Sequence, residues 1–332
     1  MAADQEAPEK LDHCPVCDEA ALPDANFCEA CGTDLVPPPP PCVSCGAGGD
    51  GIVDGYCGTC GHKQPDKRDH LELDQPPIGA VTDRGKRHHR NEDAMAIGQT
   101  DHALVAVVCD GVSSTRSPEA ASQAAADAAC ARLLSIAADA SPDMLEQVFA
   151  DAASDAQAAV LAAPITDRQG DPPSCTFVGA IIGRGASPAP ATVGWLGDSR
   201  AYVIRAGAES PTAEQLSVDD TWAIAAVASG EATQEEAATD PRAKSITRWL
   251  GEDAVDLSPR LATTSLEPDD FVLLCSDGLW SYLPTEPDLA ATIAGLADAA
   301  GLEPIGMARE LVAFANESGG HDNITVVIID PR

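Results

Sequence analysis

Leu104-Val-Ala-Val-Val-Cys-Asp110-Gly111 and Phe271-Val-Leu-Leu-Cys-Ser-Asp277-Gly278 are two short apolar runs that each end in Asp-Gly. A third acid, Asp322, directly precedes another apolar run, Asn323-Ile-Thr-Val-Val-Ile-Ile329. Runs of this length and β-branched content predict core strands. A carboxylate at the end of a buried strand is costly unless a cation or hydrogen bonds compensate it. A lone Asp-Gly is usually a turn, but three such acids far apart in sequence indicate one divalent metal centre.

Length and charge limit the classes of function. The chain has 332 residues, enough for one sizeable catalytic domain and a small appendage. Its 20 basic and 53 acidic residues give a net charge of −33, which argues against nucleic acid or an anionic membrane as a partner. This charge is consistent with high solubility, with basic partners or with a generally acidic proteome. No basic segment followed by an apolar core is visible at the N-terminus, and the apolar runs have strand length, so we expect no signal peptide, no membrane insertion and a cytoplasmic location.

Four Cys-x2-Cys pairs occupy residues 14–61, with ten or eleven residues between the two pairs of each repeat. The eight cysteines are Cys14, Cys17, Cys28, Cys31, Cys42, Cys45, Cys57 and Cys60. Four thiolates satisfy tetrahedral zinc, and the metal replaces a core too small to fold alone. The pattern resembles a double zinc ribbon and predicts two structural Zn²⁺ ions. Disulfides are the alternative, disfavoured because the other four cysteines lie in apolar segments, as in a protein of the reducing cytosol.

The composition also predicts the domain boundaries. Pro37 to Pro41 would form a stiff spacer between the ribbons. The polar residues 62–77 would form a linker to a second domain at 78–332. Because the ribbon region is acidic, we expect it to contact a protein partner, with a purely structural appendage as the equal alternative.

Strands and helices alternate in groups from Ile78 onward. The strand predictions are 78–82, 103–109, 175–183, 191–197, 200–205, 271–275 and 324–330, and the helix predictions are 117–138, 142–162, 220–229, 287–299 and 303–317. Two helices follow the second strand consecutively and strands then run together, which indicates an α+β fold rather than strict βαβ alternation.

Two further acidic motifs accompany the three aspartates. They are Asn91-Glu92-Asp93 and Gly197-Asp198-Ser199-Arg200. A set of oxygen ligands without His or Cys selects hard ions such as Mg²⁺ or Mn²⁺. Two such ions about 4 Å apart can lower the pKa of a shared water and bind a phosphoryl oxygen in transit.

The order of six motifs resembles the metal-dependent protein phosphatase family called PP2C over residues 78–332. The motifs are Thr82-Asp83-Arg84-Gly85 with Asn91-Glu92-Asp93, Asp110-Gly111, Gly197-Asp198-Ser199-Arg200, Ile246-Thr247-Arg248-Trp249-Leu250-Gly251, Ser276-Asp277-Gly278-Leu279-Trp280 and Gly320-His321-Asp322-Asn323-Ile324-Thr325. Any one motif is weak, but six in this order over a whole domain are specific. The resemblance implies an αββα sandwich, with two central antiparallel sheets flanked by helix pairs and the metals at one end.

The resemblance also implies the roles of the acids. The implied Mg²⁺ or Mn²⁺ ligands are Glu92, Asp110, the carbonyl of Gly111, Asp277, Asp322 and, at a weaker third site, Asp198. Asp110 would bridge two ions, and Asp93 would orient a metal-bound water. The bridging hydroxide of such enzymes attacks phosphoserine or phosphothreonine in line, without a covalent enzyme intermediate. A cysteine phosphatase is unsupported, because Cys109 and Arg116 have six residues between them instead of five.

The chain departs from the family beside the metal site. The family places a phosphate-binding Arg five residues before the Asp of the Glu-Asp pair, and here that residue is His88. Imidazolium can donate to phosphate, and Arg87 or Arg90 could reach over instead; solvent-facing side chains are the alternative for all three. Because the family's Gly-rich turn and general-acid His after Asp110-Gly111 are missing too, we hypothesise that His88 or His89 binds phosphate or protonates the leaving group. Ser281 replaces an acid that helps to hold the third metal in some relatives, so that site should be weak or absent.

The sequence therefore predicts a Ser/Thr protein phosphatase that acts on phosphorylated proteins, the products of a Ser/Thr kinase. The polar segment 207–250 would form a variable flap whose acids favour basic phosphopeptides. Two alternatives stay open. One is a catalytically silent binding protein on the same fold, and the other is a zinc-ribbon adaptor that carries a phosphatase as a passenger.

Overall fold

The computed structural model describes residues 13–21, 25–35, 40–53, 55–165, 170–205, 211–300 and 303–332. The chain divides into two compact units, Met1–Asp66 and Lys67–Arg332. Most of the proline spacer predicted at 37–41 lies outside the described residues.

The first unit is built on four cysteine knuckles. In each knuckle the amide four residues after the first cysteine donates to that cysteine's carbonyl, at 2.7–2.9 Å. That fourth residue has a positive φ of 57–75°, and it is Asp18 in the first knuckle and Gly32, Gly46 and Gly61 in the others. Three of the four positions are glycine because a left-handed backbone favours glycine. Strands β1 (Ile52–Val53) and β2 (Tyr56–Cys57) form a short hairpin in the second ribbon.

The second unit contains strands and helices in α+β order. The strands are β3 (His70–Gln75), β4 (Ile78–Asp83), β5 (Asp93–Gln99), β6 (Ala103–Asp110), β7 (Ser174–Cys175), β8 (Phe177–Gly183), β9 (Ala189–Leu196), β10 (Arg200–Arg205), β11 (Thr212–Gln215), β12 (Leu250–Gly251), β13 (Arg260–Leu266), β14 (Asp270–Cys275) and β15 (Ile324–Ile329). The α-helices are α1 (Pro118–Leu133), α2 (Pro142–Ala162), α3 (Trp222–Ser229), α4 (Gln234–Thr239), α5 (Asp277–Trp280), α6 (Glu286–Ala300) and α7 (Pro304–Glu317).

Two antiparallel sheets form the centre of this unit. One sheet has the order β11-β10-β14-β15-β4-β3, and the other has the order β13-β9-β8-β6-β5. A buried cluster that includes Leu104, Val108, Val178 and Val327 fills the space between the sheets. Helices α1 and α2 cover the outer face of the five-stranded sheet, and α6 and α7 cover the other sheet. The αββα layering implied by the sequence is confirmed.

The segment 62–77 differs from the linker predicted for it. Residues His70–Gln75 form β3, which pairs with β4 along its whole length at the edge of the six-stranded sheet. The second unit accordingly begins at Lys67 rather than Ile78. The sequence of β3, His-Leu-Glu-Leu-Asp-Gln, is polar because an edge strand exposes much of its surface, and that polarity made it resemble a linker.

The predicted flap, 207–250, contains β11 followed by helices α3 and α4, and the structure describes it from residue 211 onward. Thr233 caps α4 through a reciprocal pair of bonds with Glu236. Among the described residues, no helix is both long and apolar enough to cross a membrane.

Candidate active site

Both Asp-Gly pairs lie where a strand ends and the chain approaches a neighbouring segment very closely. A Cβ on Gly111 would meet the carbonyl oxygens of Pro118 and Glu92 at 2.6 and 2.7 Å. A Cβ on Gly278 would meet the carbonyl oxygen of Asn323 at 1.9 Å. Each glycine is therefore needed for close packing of the backbone, and this packing brings the preceding aspartate to a common end of the two sheets.

A cavity of about 460 Å³ opens at this end of the sandwich. Four of the aspartates predicted as metal ligands line it, namely Asp110, Asp198, Asp277 and Asp322. Residues 112–115, directly after Asp110-Gly111, and residues 244–246 of the flap also line it. The structure thus brings together acids that lie more than two hundred residues apart.

Burial and repulsion from other acids raise the pKa of three of the cavity aspartates. Burial raises the pKa of Asp110 well above its usual range, and the charges of Asp93, Asp277, Asp198 and Asp322 raise it further. Burial is also the main cause for Asp277, whose pKa lies well above the usual range. Burial, with the nearby charge of Asp219, raises the pKa of Asp198 to about 6. Such a set of acids is unfavourable without a compensating cation.

Asp93 lies deeper than the other acids and is held by hydroxyl groups. Its Oδ2 accepts hydrogen bonds from Ser276 Oγ and Thr325 Oγ1, each at 2.7 Å. Its Oδ1 is buried without a hydrogen-bond partner among the described residues. Burial raises the pKa of this carboxyl to about 7, although both hydroxyls act against the rise.

Glu92 is buried beside the cavity, and its carboxylate is turned toward two side chains. Arg90 Nε donates to Oε1 at 2.9 Å, and the Ser113 hydroxyl donates to Oε2. The backbone amide of Glu92 donates to Asn323 Oδ1 at 2.8 Å. The Asn323 side chain in turn donates to the carbonyls of Arg84 and Arg90, so it joins the loop before Glu92 to the start of β15.

The bases predicted to bind phosphate are placed differently from one another. His88 Nε2 lies 3.1 Å from Asp322 Oδ1, so this imidazole contacts a predicted metal ligand. Arg90 pairs with Glu92 and lies 3.3 Å from a second carboxylate, that of Glu119. Arg87 and His89 are exposed. None of these four bases is among the described residues that line the cavity.

The donor atoms fit hard cations. The acids offer only oxygen, the donor type that hard cations select, and the buried Oδ1 of Asp93 has no hydrogen-bond partner among the described residues. Their oxygens are more widely spaced than the thiolates of the ribbons. Among the described residues, only the two groups of four ribbon cysteines place all their ligand atoms within 4.8 Å of one another.

The raised pKa values predict that stability of the metal-free protein decreases as pH rises. The unfolded aspartates ionise near pH 4, whereas Asp93 keeps its proton to about pH 7 in the folded protein. The folded state binds more protons in this interval, so the free energy of unfolding falls between about pH 4 and 7. Tryptophan fluorescence during thermal melting measures this in the second unit alone, since all 4 tryptophans lie there.

We expect Tm in a chelator to decrease from pH 5 to pH 8, and Mn²⁺ to restore most of the loss by binding the ionised acids. A Tm that rises over this interval without metal would contradict the assignment of mutual repulsion to these carboxylates.

Two family models match the chain. The family model for protein phosphatase 2C matches residues 82–316, which include every aspartate of the cavity named above except Asp322. The chain belongs to the protein phosphatase 2C family. A second family model, the double zinc ribbon, matches residues 14–61 and covers all eight cysteines of the two ribbon groups.

Several bacterial phosphatases resemble the chain. Protein phosphatase PhpP of Streptococcus pneumoniae is 35% identical over 136 residues, 40% of this chain, so the chain spans 50% of the length of PhpP. Serine/threonine phosphatase stp of Listeria welshimeri is 27% identical over 258 residues, which cover 75% of this chain and 93% of that protein.

Solved structures show the same fold. The serine/threonine phosphatase PstP/Ppp of Mycobacterium tuberculosis is 28% identical, covers 78% of this chain and 99% of its own, and superposes with a TM-score of 0.58. A catalytic domain of PstP in complex with two manganese ions is 28% identical over 76% of this chain and 96% of that one, with a TM-score of 0.55.

Several residues that position the phosphatase 2C acids had no role assigned from the sequence, although all of them except Thr176 belong to the six motifs. Asn323, Thr325 and Ser276 hold the segments of Glu92 and Asp93, as described above. Thr176 Oγ1 accepts from the amide of Asp110 at 2.9 Å and lies 2.7 Å from Ser199 Oγ. The spacing of these residues in the sequence did not predict their roles, because the group that each one contacts lies on a distant segment of the chain.

Proposed function

We propose that the chain is a metal-dependent protein phosphatase that hydrolyses phosphoserine and phosphothreonine in proteins. The observation that supports it best is the convergence of Asp110, Asp198, Asp277 and Asp322 on one cavity. It is strengthened by the related PstP catalytic domain, which was solved with two manganese ions.

The acids are assigned as follows in this proposal. Asp110, Asp277 and Asp322 would hold one Mn²⁺ or Mg²⁺ ion, and Asp110 with Glu92 and the Gly111 carbonyl would hold another. When bound, the ions would supply an activated water and would neutralise charge on the phosphoryl oxygens. Asp198 would belong to a weaker third site.

The chain's own groups would position the reactants. Asp93 is fixed by Ser276 and Thr325 with one carboxylate oxygen unpartnered, so it can accept a proton or a hydrogen bond from a water in the site. The Gly111 carbonyl belongs to the same peptide group as the Val112 amide, and that amide donates to the Ser174 carbonyl at 3.0 Å, which orients the group. His88, Arg87 and Arg90 remain candidates for phosphate contacts that require side-chain movement.

The ribbons would bind two structural zinc ions and would contact a protein partner. None of the twelve cysteines forms a disulfide bond in the structure, which suits the cytoplasmic location proposed here.

The full chain, purified with its zinc, tests this function in an assay with a phosphothreonine peptide. We expect hydrolysis that requires Mn²⁺ or Mg²⁺ and stops when EDTA is added, with activity restored by excess Mn²⁺. A folded protein that hydrolyses neither phosphothreonine nor phosphoserine peptides with either metal would favour a silent binding protein instead.

A further inference from the structure

Lys244 is the only basic side chain among the described residues that line the acidic cavity. It lies in the flap and lines the same cavity as Asp110 and Asp277. We propose that Lys244 binds the phosphoryl group of the substrate, in the role for which the family resemblance led us to expect an arginine at position 88. The proposal rests on the phosphatase function proposed above.

The bases of the 84–90 loop are poorly placed for this role. The His88 ring is engaged with Asp322, and Arg90 is engaged with Glu92. A phosphate that drew either base into the cavity would have to break an existing contact with a carboxylate. Arg87 is exposed on the same loop and does not line the cavity.

The arginines near the flap are also engaged, and with buried carboxylates. Arg200 forms a bidentate pair with Asp219, at 2.9 and 2.7 Å. Arg248 and Arg260 lie 3.7 and 3.0 Å from Asp220, whose side chain is fully buried. These pairs fix the backbone of the flap. By contrast, Lys244 has no ion pair within 4 Å in the part of the chain that the structure describes, so its charge is available to a ligand.

Trp280 sets the position of the Lys244 ammonium group. Lys244 Nζ lies 5.5 Å from the centroid of the Trp280 ring, and the Arg200 guanidinium lies 3.8 Å from the same centroid. The indole Nε1 donates to the Asp198 carbonyl at 3.0 Å. The ring therefore links the flap lysine to the segment that carries one of the cavity acids.

The cavity that Lys244 lines is otherwise acidic, with Asp110, Asp198, Asp277 and Asp322 in its lining. A phosphate monoester that enters a cavity lined by aspartates is repelled by them unless positive charge is present. An ammonium group on a flexible stem gives three donors and a point charge suited to phosphate.

Binding of inorganic phosphate to the Mg²⁺-loaded protein tests the proposal by calorimetry. We compare Lys244→Gln and Lys244→Arg with Arg242→Gln, a matched control two residues earlier on the same segment. Arg242 is exposed, pairs with Asp240 and stacks on Trp222, away from the cavity. Because a hydrogen bond to a charged group is lost, we expect phosphate affinity to fall about tenfold or more in Lys244→Gln. Lys244→Arg should keep most of it, and Arg242→Gln should match the wild type.

Metal affinity separates a phosphate contact from a structural role. Removal of a positive charge beside the acids should leave the Mn²⁺ affinity of Lys244→Gln unchanged or higher, whereas damage to the flap would lower it. The value of kcat/KM should fall to the same extent for p-nitrophenyl phosphate and for a phosphothreonine peptide, since both carry the phosphoryl group. Loss with the peptide alone would assign Lys244 to the peptide and overturn the proposal.

A phosphate affinity of Lys244→Gln within twofold of the wild type would also overturn it. These outcomes are distinct from failure of the proposed function. A wild-type chain that binds phosphate through Lys244 but hydrolyses no ester would refute the phosphatase activity and leave the phosphate site standing.

Discussion

Asp110→Asn is expected to reduce kcat/KM for a phosphothreonine peptide about a thousandfold or more. Asp110 ends β6, and it is the acid on which the charges of four other aspartates act. The amide keeps the shape of the side chain but removes the charge proposed to be shared by two cations. A loss of about 4 kcal/mol of transition-state stabilisation, which metal coordination can supply, corresponds to this factor.

Asp171→Asn is the matched control for this variant. Asp171 lines the same cavity and undergoes the same chemical change, but it is exposed and is not among the charges that act on Asp110. We expect its kcat/KM to stay within about threefold of the wild type, because an exposed charge is screened. Equal losses in the two variants would indicate that any acid of the cavity matters equally, and would remove the bridging role proposed for Asp110.

The same Asp110→Asn variant should stabilise the metal-free protein. Removal of the carboxylate relieves repulsion among the cavity acids, so we expect Tm at pH 8 in a chelator to rise by about 2–4 °C for each kcal/mol relieved. The dependence of Tm on pH should become shallower, since one of the groups with a raised pKa is gone. A gain in stability that accompanies a loss of activity is typical of acids retained for function.

The apolar patterns predicted the strands that are buried on both faces. They missed strands whose conformation depends on packing against other elements. Strands β14 and β15 are continuous apolar runs, and both were predicted within one residue at each end. Strand β5, Asp-Ala-Met-Ala-Ile-Gly-Gln, was missed because alanine and glycine favour no strand by themselves. Its conformation depends on pairing with β6 and on cover by α1, and neither can be read from the local sequence.

The residues of the candidate site were likewise predicted only where their signals are local in the sequence. The Asp-Gly pairs were recognisable because each combines a strand end with a glycine that permits close packing, and both properties are local. The contribution of Lys244 could not be predicted. It depends on how the flap folds over the cavity, through contacts of Asp220 with Arg248 and Arg260 that join segments up to 40 residues apart.

Cys42→Ser is expected to lower the zinc content of the chain from two ions to one and to unfold the second ribbon. The sulfur atoms of Cys42 and Cys60 lie 3.7 Å apart, as do those of Cys45 and Cys57. The ligand atoms of all four cysteines of this group lie within 4.8 Å of one another, which suits one tetrahedral zinc ion. Strands β1 and β2 have only two residues each, so little but the metal would hold this ribbon together.

Zinc content, amide hydrogen exchange and tryptophan melting measure the effect in one protein preparation. Exchange should increase over residues 42–64. The tryptophan melting curve reports only on the second unit, because all the tryptophans lie there, and we expect its Tm to stay the same. Cys130→Ser is the control, since Cys130 is buried in α1 and belongs to neither group of ribbon cysteines; this variant should keep both zinc ions. Two zinc ions retained in Cys42→Ser would contradict the ligand assignment. Fewer than 12 free thiols in the denatured, zinc-free chain would favour the disulfide alternative.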